Sequence, residues 1–301
     1  HRDCDVLFYC LCARSRHRGS CLEITVFLAV LAAAFMHASW NLLVKLKLDR
    51  FLSIFLLQTL MGVMGAGMLL VFAWPSPASL PYALLSGVLH TGYNIFLARS
   101  YKHGDLSQVY PIARGTAPLL TLLITWFAAH EQIGLVTALG IGVLVSGIWL
   151  IAFGKSDALR LDGKSLLFAL GTSCFIAAYT VVDGLGGRIS GAPSGYTGAV
   201  FILDAVFLLA YGIYARGPGI LKAVAPFWKS GIAGALLSAS SYWIVIWAMT
   251  EAPIAAVAAL RETSILFVIL MSARYLKETM TAARIGGGIL VVLGAVALRL
   301  S

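Results

Sequence analysis

Charge is what this sequence has least of: Asp, Glu, Lys and Arg make up 12% of its 301 residues, and the acids number only 13. So little charge excludes the hydrated surface that a soluble protein of this length requires. No low-complexity linker and no soluble domain interrupts the chain. No C-x-x-C pair occurs, and four of the five cysteines (Cys4, Cys10, Cys12 and Cys21) crowd into the first 21 residues, so a metal site is poorly supported. The phosphate-binding G-x-x-x-x-G-K-[ST] run is missing, which leaves gradients or exchange as the only energy source for any vectorial work. H-E-x-x-H and G-x-S-x-G are missing as well, which argues against a membrane-embedded enzyme. Nothing calls for a cofactor.

What is present is apolar. Hydrophobic residues make up 60% of the chain, and its mean hydropathy is +0.90. A spanning helix needs about 20 apolar residues, and ten such runs can be read. They lie near Ile24-Val44, Leu52-Trp74, Leu80-Ser100, Gln108-Phe127, Ile133-Phe153, Ser165-Leu185, Ser194-Tyr214, Gly231-Met249, Ile254-Ala273 and Ala282-Leu300. Inside a bilayer every backbone group must be bonded within the protein, so the expected fold is an all-α membrane bundle of ten helices. The net charge of +9 comes from bases scattered through the loops. Membrane topology accounts for that better than nucleic acid does.

Residues 1–21 look foreign to the rest, with the cysteines beside "RSRHRG" and an apolar run that starts cleanly at Leu22. The expectation is a basic, Cys-rich tail that is not native, with the native chain starting at Leu22. A cleaved signal peptide is the other reading, but cleavage would remove a span that the internal repeat needs.

That repeat appears on shifting the sequence by 147 positions, the distance from Arg114 to Arg261. Thr116 then falls on Thr263, Leu119 on Leu266, Glu131 on Glu278, Gly140 on Gly287 and Gly147 on Gly294. The expected domains are 22–154 and 164–301, five spans each. Five is an odd number, so the second half should enter the membrane from the opposite side, giving two inverted repeats. Charge agrees: the loops after spans one, three, five, seven and nine hold bases from Lys45 to Arg284, while the other loops hold only Arg188. The positive-inside rule then places both termini outside.

The chain resembles the drug/metabolite transporter superfamily, in particular proteins with two EamA-type domains. The residues that carry this are "AAAFMHASWNLLVK" in span one and the helix-Glu-helix endings "FAAHEQIGLVTALGIGVLVSGIWL" and "SARYLKETMTAARIGGGILVVLGAVAL". The likeness covers nearly everything from Leu22 to Ser301. It implies a ten-span transporter of small metabolites, and it does not specify the solute. Two departures stand out. The loop after span two, "WPSPASLP", lacks the basic residues common in the family. Span one lacks the glutamate that related four-span exporters use for proton coupling.

Arginine at membrane depth is expensive, so Arg114 and Arg261 are the leading site candidates. On a 3.6-residue period, Ser107, Tyr110, Arg114, Pro118, Thr121 and Thr125 share one stripe. His37, Trp40 and Asn41 in span one, His90 and Tyr93 in span three, and Trp243 and Trp247 in span eight complete a polar, aromatic-walled cavity. A guanidinium fork matches a carboxylate or phosphate two bonds at a time, which points to an organic anion. The structural alternative is that the arginines pair with Asp204 or Glu262 and only hold helices together. Glu262 would then have to overcome its position next to Arg261, about 100° away on an ideal helix. Asp204 and Glu262 are also the candidates for proton coupling. Asp183, near the end of its span, reads as interfacial. His37 and His90 fit either proton shuttling or helix contacts. Glu131 and Glu278 read as turn-stabilising carboxylates, and Pro111, Pro118 and Pro253 as points where spans loosen.

The glycines Gly140, Gly147, Gly287 and Gly294 permit close helix approach, between the halves or in a homodimer through the glycine-rich helices. The function expected from all this is a secondary transporter of a small organic metabolite in the bacterial inner membrane. A membrane enzyme and a non-transporting receptor or assembly factor are the alternatives. The partners are the solute and the lipid bilayer.

Overall fold

The computed structural model describes residues 22–43, 50–103, 106–154, 163–275 and 280–301. The tail at 1–21 lies outside them. The helices are α1 (Ile24–Leu43), α2 (Arg50–Val71), α3 (Leu80–His103), α4 (Leu106–Phe127) and α5 (Leu135–Phe153), then α6 (Gly163–Ser190) and α7 (Pro193–Arg216). A short α8 (Gly219–Val224) leads to α9 (Trp228–Glu251), α10 (Ile254–Arg261), α11 (Ser264–Tyr275) and α12 (Ala282–Leu300). No strand occurs among the described residues.

Among the described residues, eight spans are long and apolar enough to cross a membrane, with α10 and α11 counted together, and α4 adds a shorter apolar stretch, Ile112–Phe127. Their apolar side chains face outward along the bundle: Val63, Leu70, Leu139, Leu167 and Leu293 are exposed. Trp74, Trp126 and Tyr214 are exposed at helix ends, where an aromatic ring meets both headgroup and tail.

The chain reverses at defined points. Gly191 (φ 63°) and Gly217 (φ 77°) take left-handed backbone after α6 and α7, as a side chain there would resist. Pro193 opens α7 where its missing N–H is not needed.

Helices related by the 147-residue shift pack in matching ways. The α2·α7 and α5·α12 contacts each join a helix to its own counterpart, while α3·α6 in one half corresponds to α9·α1 in the other. In the α5·α12 pair a Cβ on Gly147 would lie 2.6 Å from Gly287 O, and one on Gly294 would lie 2.7 Å from Gly140 O. Because Gly147 meets Gly287 while Gly140 meets Gly294, the two helices run antiparallel. This glycine face, offered by the sequence to a second copy or to the other half, is taken up between the halves of one chain, so a homodimer would need a different surface. Around it lies the main apolar core, including Val30, Leu144, Met249, Val257, Leu260 and Val291.

Candidate functional site

The ninth apolar run is not one helix. After α10 the backbone tightens: Glu262 N–H donates to Ala259 O and Thr263 N–H to Leu260 O, both at 3.0 Å, and Thr263 Oγ1 also donates to Leu260 O at 2.7 Å. These bonds to the third residue back narrow the turn, and α11 starts anew at Ser264. The break carries no proline; Pro253 stands at the other end of α10.

This break gives Glu262 a direction that an ideal helix would deny it. Its Oε2 lies 2.8 Å from Arg114 Nε, and its Oε1 lies 3.9 Å from Arg261 Nε. Arg114, from α4 in the first half, and Arg261, from α10 in the second, thus converge on one carboxylate. All three are buried. Under the repeat, Glu262 corresponds to Gly115, where a Cβ would strike Trp149 2.7 Å away. The acid therefore comes from one half only.

Around this triad stand groups from three more helices. His37 on α1 lies within electrostatic reach of both arginines. It is steadied by Trp40, whose Nε1 sits 3.4 Å from His37 Nδ1, while Asn41 Nδ2 donates to His37 O at 2.8 Å. His90 on α3 meets Ser86 through Nδ1 and stacks on Tyr179 of α6, with ring centres 4.0 Å apart. Tyr93 packs edge-on to the same tyrosine at 5.8 Å. Tyr179 lies within electrostatic reach of Arg261, so the aromatic wall stands beside the cation.

One turn further along α6, Asp183 is 1% exposed and so not the solvated interfacial acid its position in the sequence indicated. Its carboxylate accepts from Tyr242 Oη at 2.5 Å and from Tyr196 Oη at 3.3 Å. Tyr179, Tyr196 and Tyr242 are the residues that reading the sequence missed, and Asp183 is the one it misplaced. The one signal available was the four-residue spacing of Tyr179 and Asp183, which puts both on one helix face.

Other candidates sit elsewhere or are otherwise engaged. Asp204 accepts from Gln58 on α2 and has no arginine as hydrogen-bond partner among the described residues. Thr121 is buried, but its hydroxyl donates to Ala117 O of its own helix at 2.9 Å. Trp243 points to the turn end of α7, donating to Ser194 Oγ at 3.0 Å and packing on Phe72. Trp247 packs against the main apolar core. The side chains of Tyr110 and Ser107 lie outside the described residues.

At the end of the bundle where α4, α6 and α9 finish, a second ion pair holds the turns together. Arg188 Nη2 lies 2.7 Å from Glu131 Oε1, and the same guanidinium donates to Met249 O and Ala252 O at 2.8 and 2.9 Å. Glu131 Oε1 also accepts from Ile254 N–H at 3.2 Å. The turn-stabilising role read for Glu131 thus extends to the first residue of α10, the helix that carries Arg261. Beside it Ser76 N–H donates to Ser190 O at 3.0 Å, joining the turn after α2 to the turn after α6.

An all-helical chain with outward apolar faces, two equivalent sets of helices and a buried charged cluster at their junction defines a multi-pass integral membrane protein. It belongs to the EamA-like transporter family, which matches residues 24–153 and again residues 163–300. No curated protein matches the sequence. Among solved structures the fold is similar to a chain titled only "Crystal structure of protein", with a TM-score of 0.73 over 92% of this chain and 98% of that one. At 17% identity that likeness concerns the fold alone.

Proposed function

We propose that the protein is a secondary transporter of a small organic anion, an amino acid or related organic acid, across the bacterial inner membrane. It works by alternating access of two inverted five-span repeats, ten spans in all. The observation that carries this reading is the convergence of Arg114 and Arg261, one from each half, on the single carboxylate of Glu262. A buried carboxylate that two cations share is a site where a second carboxylate has a place, and it lies where rocking of one half on the other would remake it. The antiparallel α5·α12 contact supports the inversion. His37, His90, Tyr93 and Tyr179 supply aromatic walls for the body of the solute.

A second reading has its own observation. At 2.8 Å the Arg114–Glu262 contact is a good ion pair, and such a pair can serve only to join α4 to α10. Exchange in proteoliposomes separates the two. The vesicles are loaded with a pooled metabolite extract, each solute is followed by mass spectrometry, and wild type is compared with Arg114→Gln and Arg261→Gln. The transport reading expects an organic anion to exchange and both folded variants to lose it. A neutral or cationic solute, or an anion that the folded variants still move, would sink it.

A further inference from the structure

The cluster that holds Glu262 contains a second buried acid, and the two have different company. Glu262 is fixed between two arginines. Asp183 is held by two tyrosine hydroxyls, and it lies within electrostatic reach of Arg261. Around it stand Ser86 from α3, Tyr196 from α7, Tyr242 from α9 and Arg261 from α10, with His90 of α3 packed edge-on to Tyr242 and Asp204 of α7 within electrostatic reach. Tyr179 lies one turn before it on the same helix, within electrostatic reach of Arg261. Arg188, further along the same helix, is engaged with Glu131.

We propose that Asp183 is the proton carrier of this transporter, taking up one proton for each negative charge of the substrate that Arg261 receives. This rests on the anion-transport reading above. The argument is one of charge balance. With neutral imidazoles, two guanidinium groups stand against the carboxylates of Glu262 and Asp183, so the empty cluster is balanced. A substrate carboxylate adds one negative charge in a medium where an uncompensated charge is costly. A proton on Asp183 Oδ restores the balance and leaves Arg261 to the substrate. On the other side of the membrane the substrate leaves, the proton dissociates, and Asp183 resumes as counter-ion to Arg261. No bond other than O–H is made or broken.

Asp204 is less suited to this part. Its Oδ2 accepts from the neutral Gln58, and its Oδ1 is buried with no hydrogen-bond partner among the described residues, an arrangement that fits an uncharged acid held between α2 and α7. Asp183 also has the better position. It lies seven residues from the end of α6, roughly 10 Å by helical rise, between the arginine cluster and the turns at that end.

The test uses full-length protein in proteoliposomes, with the pooled extract as probe. Wild type should accumulate the exchanging anion against its gradient when a pH difference is imposed, and a membrane potential alone should have little effect. Asp183→Asn, which mimics the protonated acid, should lose the pH-driven accumulation by tenfold or more while keeping anion exchange at equal pH; Asp204→Asn should keep both. Accumulation that survives in Asp183→Asn, or is lost only in Asp204→Asn, overturns the proposal. If Asp183→Asn does not reach the membrane, Tyr242→Phe removes one donor and keeps the ring. Its accumulation should show a displaced pH profile, and an unchanged profile counts against Asp183.

Infrared spectroscopy of the solute-free protein supplies a readout that survives failure of the anion reading. The carbonyl band of a buried protonated acid that vanishes on raising pH should be missing in Asp183→Asn and present in Asp204→Asn. The reverse result overturns the assignment. If wild type moves only neutral solutes yet the band belongs to Asp183, the fault lies with the anion and not with the proton site.

Discussion

Glu131 and Arg188 come from different halves of the chain and meet 2.7 Å apart, where the turn before α5 reaches the last residues of α6. The guanidinium also binds two carbonyls at the end of α9, and the carboxylate caps the start of α10. Three turns of chain are therefore held by one pair of side chains.

Arg188→Gln should open this fastening, because it removes a charge and the donors to Met249 and Ala252 together. Hydrogen bonds to charged groups contribute about 1.5–3 kcal/mol each, and the partial exposure of Arg188 places the loss toward the lower end. Glu131→Gln keeps an acceptor for Ile254 N–H and should be milder. Thermal denaturation in detergent gives the order of the two, and an equal effect would show that the carbonyl bonds contribute nothing.

Glu262→Gln should be more damaging than either arginine substitution. It leaves two buried guanidinium groups without their shared carboxylate, and breaking a buried pair from one side costs about 3–5 kcal/mol. Combining it with Arg114→Gln removes one of the excess charges, so the double variant should melt at a higher temperature than Glu262→Gln alone. Additive losses in that cycle would mean that the two residues are not coupled.

Gly147→Leu should force α5 away from α12, since even a Cβ there would sit 2.6 Å from Gly287 O. Overpacking of this kind costs about 1–3 kcal/mol. Gly142→Leu on the same helix, with nothing within 4 Å of its would-be Cβ, is the control and should melt like wild type. Equal melting of both variants would place the glycine contact outside the forces that hold the halves together.

The bundle was legible in the sequence because a bilayer imposes long apolar runs and because the repeat keeps its glycines and arginines in step. The partners of the arginines were less legible. Glu262 follows Arg261 directly, and ideal helical geometry turns it aside; only the turn at Glu262–Thr263, which no proline announces, lets it reach both cations. Asp183 was misread for a related reason. Closeness to the end of a hydrophobic run resembles closeness to water, but α6 continues to Ser190, and Tyr196 and Tyr242 close over the acid. Trp243 was assigned to the cavity wall with Trp247, although its ring packs on Phe72, a contact that no periodicity within α9 encodes.

Gly115 and Glu262 occupy the same place in the two halves, and that has a genetic consequence. Glycine and glutamate codons can differ by a single base, so one point change in a duplicated gene is enough to set the halves apart. A chain built from two copies of the first half would put two guanidinium groups in the membrane with no carboxylate between them. The second half is thus not a spare of the first, and the two could no longer be exchanged without losing the counter-ion that lets both arginines be inserted.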